Sequence, residues 1–304
     1  MISFRYHLVS LVAVFLALTL GIVVGTTALN GPITTDLRKQ VNTLKSDRTA
    51  LANQVKALQA RVDDNEQFAA TYGTQLVAGT LTHQNVLLVG MPGAGTSVED
   101  SIAQQVAAAG GKVTGRIQLT GDYIDVRRGT DISALATGPV HPIGLTLPET
   151  SDAGRLGGAL LAFVLLGKGQ ATDMRQVLGG FSELHMLSES SSVAPSKTVI
   201  VVGTGPLPAN GYAATTELAF VTALQQAGGH VVVAGDGTSA TGHGLVGLTR
   251  GANIRSTVST VDNADTAMGQ VTSVLALADI VKSRVGHYGT QDGADALFPT
   301  PATK

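Results

Sequence analysis

Asn85-Val-Leu-Leu-Val-Gly90 runs directly into Met91-Pro-Gly-Ala-Gly95, and this eleven-residue stretch decides the fold. A short, continuous apolar run that ends in glycine and proline is the pattern of a strand buried on both faces. The Ala- and Gln-rich segment from about Ser97 to Ala109 predicts a helix, and Ala109-Gly-Gly-Lys-Val-Thr-Gly-Arg-Ile117 leads into the next strand, which completes a βαβ unit. The order repeats at Thr198-Val-Ile-Val-Val-Gly203, a Gly/Pro loop, a helix from Thr215 to Gln226, and Ala227-Gly-Gly-His-Val-Val-Val-Ala-Gly235. An Ala-Gly-Gly turn ends both helices. Two such halves predict an α/β domain from residue 76 to 304, a Rossmann-like, doubly wound and mostly parallel sheet, because continuous apolar strands need both faces covered. The segment from Asn263 to Lys282, with Val271, Val274, Leu275, Ala278 and Val281 on one face, predicts a helix packed on that sheet.

Upstream the texture differs. No Asp, Glu, Lys or Arg occurs between Tyr6 and Thr35, and the centre, LVSLVAVFLALTLGIVVG (8–25), is almost wholly apolar. About 20 such residues suffice to cross a bilayer core. The reading is a short cytoplasmic leader (1–7), then a transmembrane signal anchor in contact with membrane lipid through Leu8 to Leu29. Arg5 lies before it and Asp36 is the first charge after it, which favours a cytoplasmic N-terminus and an extracytoplasmic, periplasmic domain, although Arg38 and Lys39 weigh against that orientation. Gly25-Thr-Thr-Ala28 keeps cleavage as a signal peptide open as the alternative. The next most apolar run, Ala159-Leu-Leu-Ala-Phe-Val-Leu-Leu166, is too short to span and predicts a core helix.

Gly31-Pro32 closes the apolar run. Beyond it Leu37, Val41, Leu44, Arg48, Leu51, Val55, Leu58 and Val62 alternate at spacings of four and three, the a/d pattern of a coiled coil over 33–70. A polar residue such as Arg48 at one core position costs stability but specifies register or partner. The flanking Arg38, Gln40, Lys45, Asp47, Ala52, Gln54, Gln59 and Arg61 do not form complementary pairs for a parallel homodimer, so the partner, self or another envelope protein, stays open. An amphipathic helix lying on its own domain is the other reading.

Composition narrows the chemistry. With 20 Lys+Arg against 22 Asp+Glu and no block of like charge, no nucleic-acid footprint is present. The chain has 0 Cys, which removes disulfides, thiolate metal sites and cysteine nucleophiles. Gly90-Met-Pro-Gly93-Ala-Gly95 is not G-x-G-x-x-G and lacks the Gly-Lys-Ser/Thr of a P-loop, while Gly203-Thr-Gly205-Pro-Leu-Pro208 places prolines where phosphate-facing N-H donors belong. Both loops read as turns and no cofactor is expected. No nucleophile elbow, zinc-protease motif or carboxylate pair with a local base occurs, so the chain reads as non-enzymatic. The seven His are dispersed; His185-Met186 and Gly242-His243-Gly244 are the conceivable ligand positions, and the metal site remains unknown. The tail, Gly286-His-Tyr-Gly289 through Leu297-Phe298-Pro299, is predicted either to cap a groove or to tuck Tyr288, Leu297 and Phe298 onto the domain.

Met1-Ile-Ser-Phe-Arg-Tyr-His7, leading into the apolar segment, together with Gly286-His-Tyr-Gly289 and Leu297-Phe298-Pro299, resembles the actinobacterial copper transport protein B family over nearly the whole chain. The resemblance implies an envelope protein with outer-membrane association and a role in copper export, copper being the transported ion. It also implies a second role, in which coiled-coil contacts with a membrane partner control septal peptidoglycan hydrolases during cell separation. It assigns no copper ligand to any residue here. A lone apolar helix cannot enclose a pore, and the β-rich runs lack the in/out alternation of membrane strands, so transport would require oligomers or partners.

Overall fold

The computed structural model describes residues 4–190, 193–207 and 211–300. Pro208 of the second Gly/Pro loop lies outside them. The protein is a mixed α/β chain with an N-terminal apolar helix, and it divides into two compact units, Met1–Asp64 and Asn65–Lys304. Its first helix, α1 (Phe4–Val77), contains the whole apolar segment and the heptad stripe. Gly31 and Pro32 end the apolar run without ending the helix. Within α1, Phe4–Thr26 is long and apolar enough to cross a membrane.

The second unit is built on a seven-stranded sheet: β1 (Asn85–Gly90), β2 (Lys112–Leu119), β3 (Leu187–Ser190), β4 (Thr198–Val202), β5 (His230–Ala234), β6 (Ser259–Val261) and β7 (His287–Tyr288). Their order is β3-β2-β1-β4-β5-β6-β7, and all pairs are parallel except β2 with β3. Strand order therefore reverses between β1 and β4, and their carboxyl ends are where an open α/β sheet places its crevice. Successive strand residues feed opposite cores. Leu87, Val89, Val199, Val201, Val231 and Val233 enter one, while Val86, Leu88, Ile200, Val202 and Val232 enter the other. This alternation is why the central strands β1, β4 and β5 read as continuous apolar runs.

Helices α2 (Thr96–Ala108) and α8 (Ala267–Ile280), with the last turns of α1, cover the second of these cores. Glu66 accepts a hydrogen bond from the Ala267 N–H at 2.6 Å, caps α8 and ties α1 to it, while Ala69 and Val77 are buried alongside. Helices α3 (Gly129–Thr137), α4 (Ala153–Leu165), α5 (Ala171–Glu183), α6 (Tyr212–Gln226) and α7 (Leu245–Gly251) cover the other face. The run expected to form a core helix makes up the second half of α4 and its cap, Leu166, and α4 buries ten residues.

The two Ala-Gly-Gly turns are the same device. After α2, Gly110 N–H donates to Ala107 O and Gly111 N–H to Val106 O; after α6, Gly228 donates to Gln225 O and Gly229 to Leu224 O. This is the Schellman arrangement, and the left-handed φ of +80° at Gly110 and +86° at Gly228 explains the glycines.

Candidate functional site

Three places bear on function: the heptad stripe of α1, the crevice where strand order reverses, and the C-terminal segment that carries the Gly-His-Tyr-Gly sequence.

On α1, Leu37, Val41, Leu44, Leu51, Val55, Leu58 and Val62 are 52–71% exposed, and Arg48 is exposed among them. From Leu37 to Val62, at about 1.5 Å rise per residue, this line is about 38 Å long. Singly exposed apolar side chains are ordinary, but four leucines and three valines on a regular a/d line form an apolar surface of the kind that a second helix buries.

In the crevice, two donors of the loop 90–95 are spent within the protein: Met91 N–H donates to Val202 O of β4 and Ala94 N–H to Met91 O, while Pro92 has none to give. The first turn of α2 also directs a carboxylate here. A Cβ placed on Gly90 would sit 2.0 Å from Gln118 Oε1 and 2.1 Å from Glu99 Oε1, so the two oxygens converge on one spot. Gln118 cannot turn its amide, because Nε2 donates to Met91 O at 2.7 Å and to Leu119 O at 3.2 Å. Neither Glu99 Oε1 nor Gln118 Oε1 has a hydrogen-bond donor. Burial pushes the Glu99 carboxyl up to about 7, against the lowering pull of Arg116. A proton on Glu99 turns the two facing acceptors into a donor and an acceptor. A buried acid therefore stands where a phosphate would have to lie, which disfavours nucleotide binding.

The sign of the pH dependence follows. A carboxyl whose folded pKa is raised above the unfolded 4.5 favours the fold while protonated, and that advantage is lost as pH rises through about 7. Glu217 in α6, pushed up to about 8 by burial, acts in the same direction. Glu99→Gln supplies an uncharged N–H donor to Gln118. Its Tm is expected to match that of the native chain near pH 4.5 and to exceed it increasingly up to pH 8; parallel Tm-versus-pH curves would contradict this assignment.

The C-terminal segment is held by a buried ion pair. Arg250 Nη2 lies 2.9 Å from Asp262 Oδ2, with both side chains buried. Arg250 also donates to Thr260 Oγ1 (2.9 Å), Asp292 O (3.1 Å) and Tyr288 O (2.9 Å). Asp262 accepts from the N–H groups of Thr290 (2.7 Å) and Gln291 (3.2 Å). Gly289 is obligatory, because its φ is +131° and a Cβ would come within 2.1 Å of Asp262 Oδ1. His287 Nε2 meets the Arg255 carbonyl at 3.1 Å, so it carries the proton, and Nδ1 accepts from Thr260 Oγ1 at 2.9 Å. Burial and the neighbouring Arg255 lower the His287 pKa and keep the ring neutral. Both ring nitrogens are engaged, which makes the Gly-His-Tyr-Gly sequence a structural clasp. Tyr288 is buried as the tucked-tail reading requires, whereas Leu297 and Phe298 each stay 44% exposed.

Among the described residues no group of three or more His, Asp or Glu is arranged to hold a metal. His185 is exposed while Met186 is fully buried, so that pair does not converge, and His243 is exposed. No signal in the sequence singled out Glu99, Glu217 or the Arg250–Asp262 pair.

A family model described as "Copper transport outer membrane protein, MctB" matches residues 1–299. The chain belongs to that family. It is 29% identical over 307 residues to the copper transporter MctB of Mycobacterium tuberculosis (strain ATCC 25618 / H37Rv), covering 97% of this chain and 98% of the relative, and equally so to that of Mycobacterium bovis. The copper transporter MctB of Mycobacterium leprae is 29% identical over 313 residues, covering 98% and 99%. The MctB match takes in the apolar helix, the heptad stripe and the clasp alike. The family is named for transport, not for an enzyme activity, and its description and the apolar helix both fit membrane association.

Proposed function

We propose that the protein serves copper export across the cell envelope as a membrane-anchored, non-enzymatic component that works by association through the heptad stripe of α1. Membership of the copper transport family supports the copper role. The exposed stripe supports this mechanism, because it is an apolar line on the same helix as the apolar segment. One spanning helix has no means of enclosing a conduit, so any passage for the ion is built from several copies or from other chains. In this reading Arg5 stays in the cytoplasm, the second unit is a Rossmann-like body on the periplasmic side, and outer-membrane association comes through partners.

The same stripe favours a second reading, a scaffold whose coiled coil binds a membrane partner and regulates septal peptidoglycan hydrolysis. A deletion strain separates the two. Copper export predicts accumulation of cellular copper and poor growth on it with normally separated cells; scaffolding predicts chained cells at normal copper content.

A further inference from the structure

Helices α4 and α6 run side by side in the same direction at backbone contact: a Cβ on Gly154 would lie 3.1 Å from Thr216 Cα, and one on Gly158 would lie 3.2 Å from Phe220 Cα. Above this contact lies a groove of about 830 Å³, roofed by the segment 144–148. That volume falls in the range of small-molecule sites. Its floor is apolar, with Ala159 and Phe163 from α4 and Leu218 and Ala219 from α6, and Leu145 and Leu147 form the roof.

Both threonine hydroxyls in the floor are already engaged, which leaves the Gln226 amide at the end of α6 as its other polar side chain. Thr215 Oγ1 donates to Tyr212 O at 2.9 Å, and Thr222 Oγ1 to Leu218 O at 2.7 Å. The α4 and α6 backbone groups bond within their own helices. An extended peptide laid on this floor would find partners for few of its amides, whereas an acyl chain has none to satisfy. The ends differ from the middle. Arg155 lines the groove near the start of α4 and Lys168 lines it just past the end, separated along the helix by at least about 15 Å. Among the described residues neither takes part in an ion pair. Asp152, the one carboxylate in the lining, accepts from the Arg155 backbone N–H at 3.0 Å as the α4 cap.

The geometry points to a binding groove for a single acyl chain bearing an anionic group, either a fatty-acid carboxylate or a lipid phosphate, with its chain along the α4–α6 floor and its charge at Arg155 or Lys168. Apolar floor and cationic ends together select an anionic amphiphile over a neutral one.

The test uses full-length protein in nanodiscs with a diazirine-bearing hexadecanoic acid, the cross-links being mapped by mass spectrometry. Saturable labelling at Phe163, Leu218 or Leu147 is expected. Displacement by palmitate identifies a free fatty acid as the ligand, and displacement by lysophosphatidylglycerol a lipid. Arg155→Glu with Lys168→Glu is expected to cut groove labelling by about tenfold or more, with the neutral R155Q/K168Q pair, which introduces no repulsion, intermediate. Labelling confined to residues 4–26, equal displacement by hexadecanol, displacement only by an acidic peptide, or groove labelling unchanged in both double variants would each overturn the proposal.

Discussion

Asp262→Ala is expected to cost about 3–5 kcal/mol of stability, the range for breaking a buried ion pair and leaving one charge without its partner. Domains have only about 5–15 kcal/mol to lose. The cost is high because Asp262 does more than neutralise Arg250: its two oxygens also receive the N–H groups of Thr290 and Gln291, so the residues after β7 lose their attachment together with the ion pair. Arg250→Met with Asp262→Leu removes both charges and is expected to cost less than either single change, although the backbone groups they served still lose partners. Urea unfolding of the native chain, Asp262→Ala, Arg250→Met, Asp262→Leu and the double variant checks this. A single-variant loss below about 1 kcal/mol, or a double variant worse than both singles, would show that the clasp is not held electrostatically.

Leu44→Asp with Leu51→Asp is expected to abolish the association proposed for α1. Both leucines lie on the exposed stripe, on either side of Arg48, at 71% and 61% exposure. Changing them leaves the fold of the second unit untouched, since neither packs into its cores. In a coiled coil each would be a knob held by four residues of the partner helix, and burying two carboxylates there costs far more than the lost packing. Tagged full-length protein purified from membranes should therefore lose its co-purifying partner or second copy while keeping its thermal melting profile. Unchanged co-purification would place the association elsewhere.

What the sequence reveals depends on how local the physics is. β1, β4 and β5 are visible because a buried parallel strand is a contiguous apolar run, and the Ala-Gly-Gly turns because a Schellman cap needs glycine at a fixed offset. The heptad stripe is visible for the same reason. β3 and β7 are not, since each is short and mixed in polarity and so lacks the apolar run that marks a strand. Glu99 and Gln118 stand on different elements and meet at Gly90 only once α2 has folded back over the sheet. Arg250 and Asp262 look like ordinary loop charges until the C-terminal segment closes over them. Gly289 is conspicuous as a residue, but its reason, an aspartate against its α-carbon, belongs to the tertiary structure. The groove is equally silent, because its lining is spread over α4, α6 and the segment 144–148.

The most direct test of the central claim measures copper retained by cells that lack this protein and are complemented with either the native chain or the Leu44→Asp, Leu51→Asp variant, each confirmed at equal abundance in the membrane. Copper lowered to the parental level by the native chain, and left high by the variant, is the predicted result. Equal rescue by both, or deletion cells that never accumulate copper, would contradict it.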